Sequence, residues 1–280
     1  MRQTTISELH SLGKKGGDVQ LSKYLIDKSW DLESERLVVK DAFTAQEKSL
    51  LFLSDEDVEF LQSVLPNDTS ALRHNTCAFV GNSVSLLLDD RGSEIDGHQA
   101  VMRFIDSTST KFDSFVGRKR TYLSVTNKYI EDFVPESTYD NAKRPRSKTL
   151  LVYGDIPVQD YAQLRISQPD VQAYYLSPVF ELKIRKMYKG ILSRMKNVGE
   201  TVDTNFERMP HALPSLFFMK SICKIVFVYG FTVPIATEHT HSAANTYYGQ
   251  AKSDSESAHV QAMQYILRLL MLEGHIELVS

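Results

Sequence analysis

Two cysteines, Cys77 and Cys223, and one tryptophan are all that the 280 residues contain. So few thiols allow one disulfide at most, or else two buried free thiols. An excess of positive charge is also missing, since 32 Lys and Arg face 35 Asp and Glu for a net charge of −3. That balance speaks against a broadly basic surface for nucleic acid. No long hydrophobic run is present: the most apolar stretch, Ser215 to Phe231, is broken by Lys220 and Lys224 and is too short and too charged to span a bilayer. The opening MRQTTISELHSLGKKGG has no apolar segment of the signal-peptide kind, so membrane attachment would need an anchor outside this chain. Its GKKGG has no Ser or Thr after a Gly-Lys pair and no strand before it, which removes a P-loop. Repeats and low-complexity tracts are absent as well.

What is there reads as a soluble globular chain, 42% hydrophobic and 24% charged, long enough for one large domain or two small ones. Residues 1–70 are expected to form a flexible lead followed by packing helices, because apolar residues recur at three and four positions between Ala42 and Leu65. Asp55, Glu56 and Asp57 follow Ser54 and suit the first turn of a helix better than a metal site. From residue 71 to 280 the texture changes. TCAFVGNS, KTLLVYGDI and CKIVFVYGF are apolar runs of strand length that end at or near Gly, with helical periodicity between them. This alternation predicts an α/β domain, Rossmann-like, with a mostly parallel central sheet flanked by helices. In such sheets ligands sit beyond the carboxyl ends of the strands, where Gly81, Asn82 and Ser83 fall. A methyltransferase would be a different α/β enzyme, but the first strand lacks the glycine-rich turn of that class.

The order of the following groups is more specific. Cys77-Ala-Phe-Val-Gly-Asn-Ser83 is followed by Gly92-Ser-Glu-Ile-Asp-Gly-His98, then Val101-Met-Arg103, then Val116-Gly-Arg-Lys119-Arg-Thr121. This series resembles the large sialylmotif of the animal-type sialyltransferase family. Cys223-Lys-Ile-Val-Phe-Val-Tyr-Gly-Phe231 resembles the end of its small motif, Tyr247 and Tyr248 fall where relatives carry His-Tyr-Tyr, and His259 falls where they carry a motif histidine. The resemblance covers about residues 72 to 280.

The resemblance implies a GT-A variant fold and metal-independent, inverting transfer of a CMP-activated acid sugar, sialic acid or a keto-acid such as Kdo, to a glycan hydroxyl. The CMP-sugar donor and the glycan acceptor are the implied partners, with no metal and no further cofactor. By the same resemblance Cys77 and Cys223 are joined, which implies an oxidising compartment such as the Golgi lumen or the secretory pathway. Gly81, Asn82, Ser83, Ser215, Tyr247 and Tyr248 are the implied donor-binding residues. Asp96, His98 and Arg103 are expected to be a buried polar scaffold. His259 is the implied general base, since imidazole accepts a proton near neutral pH. Asn67-Asp-Thr69 is a glycosylation sequon, in keeping with a secretory chain.

Four positions depart from the family pattern. Ile105 stands where a second asparagine is expected, Thr246 where the motif histidine precedes the tyrosines, and Gln264 where a glutamate follows His259. The small motif opens with Pro210-His-Ala-Leu-Pro-Ser215 instead of Pro-Ser-Thr/Ser-Gly. A catalytically inactive relative that binds CMP or glycans, or serves as a scaffold, is therefore the alternative.

Overall fold

The computed structural model describes residues 72–104, 111–133, 149–154, 158–197, 209–231 and 257–279, with shorter pieces at 7, 25–28, 38–40, 47–49, 59, 62–67, 147 and 156. Ten strands are assigned among the described residues: β1 (Leu25–Ile26), β2 (Val38–Lys40), β3 (Glu47–Ser49), β4 (His74–Val80), β5 (Ala100–Phe104), β6 (Tyr122–Thr126), β7 (Thr149–Tyr153), β8 (Gln172–Leu176), β9 (Cys223–Tyr229) and β10 (Glu277–Val279). The α-helices are α1 (Gly92–Gly97), α2 (Asp113–Val116), α3 (Asn127–Ile130), α4 (Val158–Ser167), α5 (Pro178–Asn197), α6 (Ala212–Ile222) and α7 (Ser257–Leu272). Contacts divide the chain into two compact units, one built on Arg73–Lys119 and Ile184–Ser280, the other on Val19–Leu72 and Arg120–Lys183.

In the first unit β4 pairs in parallel with β5 on one side and β9 on the other, and β10 continues in parallel from β9. All three expected strand runs form, and these two, β4 and β9, lie side by side. Ala78 and Val80 from β4 pack with Leu86, Ile95, Val101, Val116 and Tyr229 in one buried cluster. Both faces of such a sheet are covered, which explains why β4 reads as a continuous apolar run. Helix α6, buried from Leu213 to Ile222, runs straight into β9 at Cys223 and packs against β4. A helix buried on every side reads as uniformly apolar, and this one accounts for the hydrophobic stretch before Phe231.

In the second unit β6, β7 and β8 are parallel neighbours, and β1 closes on β8 in antiparallel sense, with Leu25 opposite Leu176. β2 and β3 form an antiparallel pair whose register sets Lys40 opposite Glu47. Part of the stretch expected to be helical, Glu47–Ser49, is thus a strand, while residue 59 and residues 62–64 are helical. Strand pairing overrides helical spacing there, as tertiary context does over local propensity. Asp55, Glu56 and Asp57 lie outside the described residues.

Candidate functional site

The first unit places the carboxyl ends of β4 and β9 together and ties one turn to the other. The Gly81 N–H donates to the Tyr229 carbonyl at 2.8 Å, and the Ser83 N–H donates to the Gly230 carbonyl at 3.2 Å. A Cβ added at Gly81 would lie 2.5 Å from the Gly230 oxygen and 2.8 Å from the Phe231 ring. Gly230 adopts φ +69°, and a Cβ there would lie 2.6 Å from the Leu86 side chain. Neither glycine can be replaced without moving backbone or core. Phe79 and Phe231 stack at 5.3 Å between ring centroids, so the Val-Gly-Asn-Ser and Tyr-Gly-Phe motifs fold as one piece.

The strands are also joined covalently. Cys77 and Cys223 form a disulfide across a sequence separation of 146, with 6.1 Å between their Cα atoms, and both are buried. Ser83, buried, caps the short 3-10 turn Val84–Leu87: its hydroxyl accepts from the Ser85 N–H at 3.2 Å and from the Ser85 hydroxyl at 3.0 Å. Asn82, half-buried, stands between this cap and the strapped glycine.

Behind the turn lies a clamp built from the rest of the large motif. The Asp96 carboxylate accepts from the Arg118 N–H at 2.8 Å and from the Lys119 N–H at 2.8 Å. Arg103 is fully buried; its Nε donates to the Lys119 carbonyl at 2.8 Å, its Nη2 to the Val116 carbonyl at 2.5 Å, and it lies 3.8 Å from Asp96. Gly117 sits at φ +70°, and a Cβ there would fall 2.4 Å from Asp96 Oδ1. Gly92 lets α1 meet α2, for a Cβ at that position would be 2.1 Å from the Asp113 carbonyl.

His98, also buried, bonds through Nε2 to the Tyr229 hydroxyl at 2.8 Å and lies against Phe227. The Tyr229 hydroxyl donates to Glu94 at 2.7 Å, so it accepts from His98, and Nε2 carries the ring proton. The His98 carbonyl takes a bond from the Lys119 ammonium. Burial pushes the Tyr229 phenol above the usual tyrosine range, and the Glu94 carboxylate adds to that. Burial lowers His98, Glu94 opposes that and Lys119 adds to it. Glu94, Lys119 and Tyr229 were not singled out individually in the sequence; the signal was their place inside the matched motifs.

Ser215 is fully buried within α6, among Leu213, Pro214, Leu216 and Phe217, in the packing of that helix. Position 259 falls in the first turn of α7, and Gln264 lies half-buried in the same helix. Tyr247, Tyr248, Thr246 and Ile105 lie outside the described residues. Among the described residues no three of His, Cys, Asp and Glu gather as a metal cluster, and no helix is long and apolar enough to cross a membrane. Asn67 of the sequon is exposed.

The Gly-Asn-Ser and Tyr-Gly-Phe turns are thus strapped together on adjacent parallel strands that a disulfide also joins. Residues 28–270 match Glycosyltransferase family 29 (sialyltransferase), and the chain belongs to that family. It is 23% identical over 171 residues to the beta-galactoside alpha-2,6-sialyltransferase 2 of Xenopus tropicalis, covering 55% of this chain and 31% of that protein. It is 27% identical over 186 residues to the CMP-N-acetylneuraminate-beta-galactosamide-alpha-2,3-sialyltransferase 1 of Gallus gallus, covering 63% of this chain and 52% of that one. The matched stretches thus span about a third to a half of these relatives. A crystal structure of a mammalian sialyltransferase in complex with Gal-beta-1-3GalNAc-ortho-nitrophenol aligns over 99% of this chain and 95% of that chain, with TM-score 0.56 at 17% identity. That likeness shows the fold, α/β and GT-A-like with a mostly parallel sheet flanked by helices.

Proposed function

We propose that the chain transfers a CMP-activated acid sugar, sialic acid or a keto-acid such as Kdo, to a glycan hydroxyl, with inversion and without a metal. The observation that carries this reading is the Gly81–Asn82–Ser83 turn, strapped to Tyr229 and Gly230 at the carboxyl end of a parallel strand in a family 29 fold. Asn82 offers both a donor and an acceptor to the nucleotide. The backbone of the turn is already fixed before the ligand arrives, which lowers the ordering cost of binding. Ser83, which also caps the turn, and Ser215 bind the donor, and Tyr247 and Tyr248 donate to the departing phosphate. His259 takes the proton of the acceptor hydroxyl as its oxygen attacks the anomeric carbon and the bond to the CMP phosphate breaks. The disulfide suits an oxidising lumen, and the secretory pathway is the compartment proposed.

The test is thermal shift with CMP and UDP, followed by turnover. CMP should raise the melting temperature, by mass action on the folded state, with or without EDTA, and UDP should do less. His259→Ala should lower kcat by about two to four powers of ten while CMP binding stays unchanged. Ile105, Thr246 and Gln264, which replace a motif asparagine, histidine and glutamate, favour a second reading, a CMP-binding relative without catalysis. Wild-type protein that binds CMP yet neither transfers nor slowly hydrolyses any CMP-sugar decides for that reading.

A further inference from the structure

We infer that Tyr229 is a positioning residue for the nucleotide-binding turn, acting through its own backbone and held in place by Glu94 and His98. The inference rests on the CMP reading of the Gly81–Ser83 turn. Tyr229 has two ends with different duties. Its carbonyl receives the Gly81 N–H at 2.8 Å, and the next carbonyl along, that of Gly230, receives the Ser83 N–H at 3.2 Å. Its hydroxyl lies between Glu94 at 2.7 Å and His98 Nε2 at 2.8 Å, each reached from the segment that follows β4. The ring itself is buried in the cluster of Ala78, Val80, Leu86, Ile95, Val101 and Val116.

The geometry makes the turn sensitive to that hydroxyl. Gly230 follows at φ +69°, the left-handed region, with Leu86 pressed against the place a Cβ would occupy. The backbone therefore reverses directly after Tyr229, and the phenol acts as a lever on that reversal. A rotation of Tyr229 moves both receiving carbonyls together, because they belong to consecutive peptide units. Gly81 has little slack to follow, since there is no room even for a Cβ between it and the Gly230 oxygen and Phe231 ring. Bonds to a carboxylate are stronger than neutral ones, so Glu94 is the main restraint and His98 the second. Glu94 in turn accepts from Arg91 at 3.2 Å, which fixes the carboxylate on α1. The sequence shows Glu94 inside the first motif and Tyr229, 135 residues further on, inside the second, and their contact is how a nucleotide turn on β4 comes to depend on that tyrosine.

Tyr229→Phe tests this, because it keeps the ring in the core and removes only the hydroxyl. The CMP dissociation constant should rise about tenfold, the effect of losing one charge-assisted bond that fixes the turn. Amide hydrogen exchange at Gly81 and Ser83 should speed up in the same variant, at a temperature where both proteins are fully folded. Glu94→Gln, which still accepts from the phenol but without charge, should weaken CMP binding by about threefold, less than Tyr229→Phe, while Glu94→Ala should weaken it as Tyr229→Phe does. A purely structural tyrosine would lower the melting temperature and leave both the exchange rates and the CMP affinity of the folded protein unchanged, and that result overturns the inference. Faster exchange with unchanged CMP affinity overturns it too. If wild-type protein binds no CMP, the underlying reading fails first; if wild type binds and Tyr229→Phe binds equally well, only the role of Tyr229 fails.

Discussion

The two units of the chain satisfy their buried polar groups in different ways. In the first, the bonds converge: Asp96, Arg103 and Lys119 close one loop, and Glu94, Tyr229 and His98 close the next. Lys119 belongs to both, through its N–H to Asp96 and its ammonium to the His98 carbonyl. In the second unit several of the described bonds run from a side chain to a backbone carbonyl. Tyr161 donates to the Ala173 carbonyl at 2.8 Å, Ser124 meets Tyr153 at 3.0 Å, Gln168 donates to the Phe133 carbonyl at 2.8 Å, and Arg165 spans the carbonyls of Val64 and Val171. A convergent network specifies residue identity at each member, because losing one leaves the others unsatisfied. Side chain to backbone bonds constrain identity less than side-chain networks do, and substitutions at well-separated ones should add independently.

The disulfide is the strongest place to break the first unit. Replacing Cys77 and Cys223 together by alanine should cost about 2–5 kcal/mol in chemical denaturation, because the bond closes a very long loop in the unfolded chain. Non-reducing peptide mapping of secreted protein should first find the two cysteines joined. A double variant as stable as wild type would mean that the hydrogen-bond network holds β4 and β9 together without the covalent link.

The same contrast explains what could be read from the sequence. The convergent unit left a trace in the order of residues: Gly81 is fixed by the Gly230 carbonyl, Gly92 by the Asp113 carbonyl and Gly117 by Asp96, so glycine had to stand at each. That is why the matched motifs located β4, β9 and the disulfide. The second unit left only periodicity. β7 was legible as an apolar run, but β1, two residues long, and the β2–β3 pair had no pattern to announce them, and strand pairing overrode the helical spacing near Glu47. The roles of individual side chains were less legible still. Ser83 spends its hydroxyl on a cap, and Ser215 is enclosed in α6, neither of which its motif position discloses. The bond between Glu94 and Tyr229 joins two motifs and required the fold to bring them together.

A smaller effect comes from the one cation buried in α6. Lys220 is 3% exposed, lies over the Phe217 ring, and burial pushes its ammonium down to about 8. At pH 7 the side chain is protonated in both folded and unfolded states, so its burial is a standing cost to the fold. Between pH about 8 and the ordinary lysine value near 10.4, the unfolded chain holds the proton and the folded one releases it, so stability rises with pH across that window. Tyr122, Tyr161, Tyr188 and Tyr229 are all pushed up by burial, and they reverse the trend only above pH about 10, where tyrosines of the unfolded chain ionise first. Denaturation from pH 7 to 9.5 should show the rise in wild type and its loss in Lys220→Met, which should also be the more stable of the two at pH 7. A flat wild-type profile would show that the ammonium is solvated in the folded protein.

The smallest expected effect lies in the second unit and has the opposite sign from the disulfide. Thr126 is 6% exposed at the carboxyl end of β6, in the N-cap position of α3, where threonine ordinarily accepts from a helix N–H. Among the described residues it makes no cap bond, and its buried hydroxyl meets no partner. A buried unsatisfied hydroxyl costs about 1–3 kcal/mol, and valine has nearly the same shape without it. Thr126→Val should therefore raise stability by about 1 kcal/mol, measured by denaturation at neutral pH, whereas removing a polar group from the convergent network of the first unit should always lower it. If Thr126→Val instead destabilises the protein by a comparable amount, its hydroxyl has a partner in solution, such as an ordered water, and the second unit is as fully interlocked as the first.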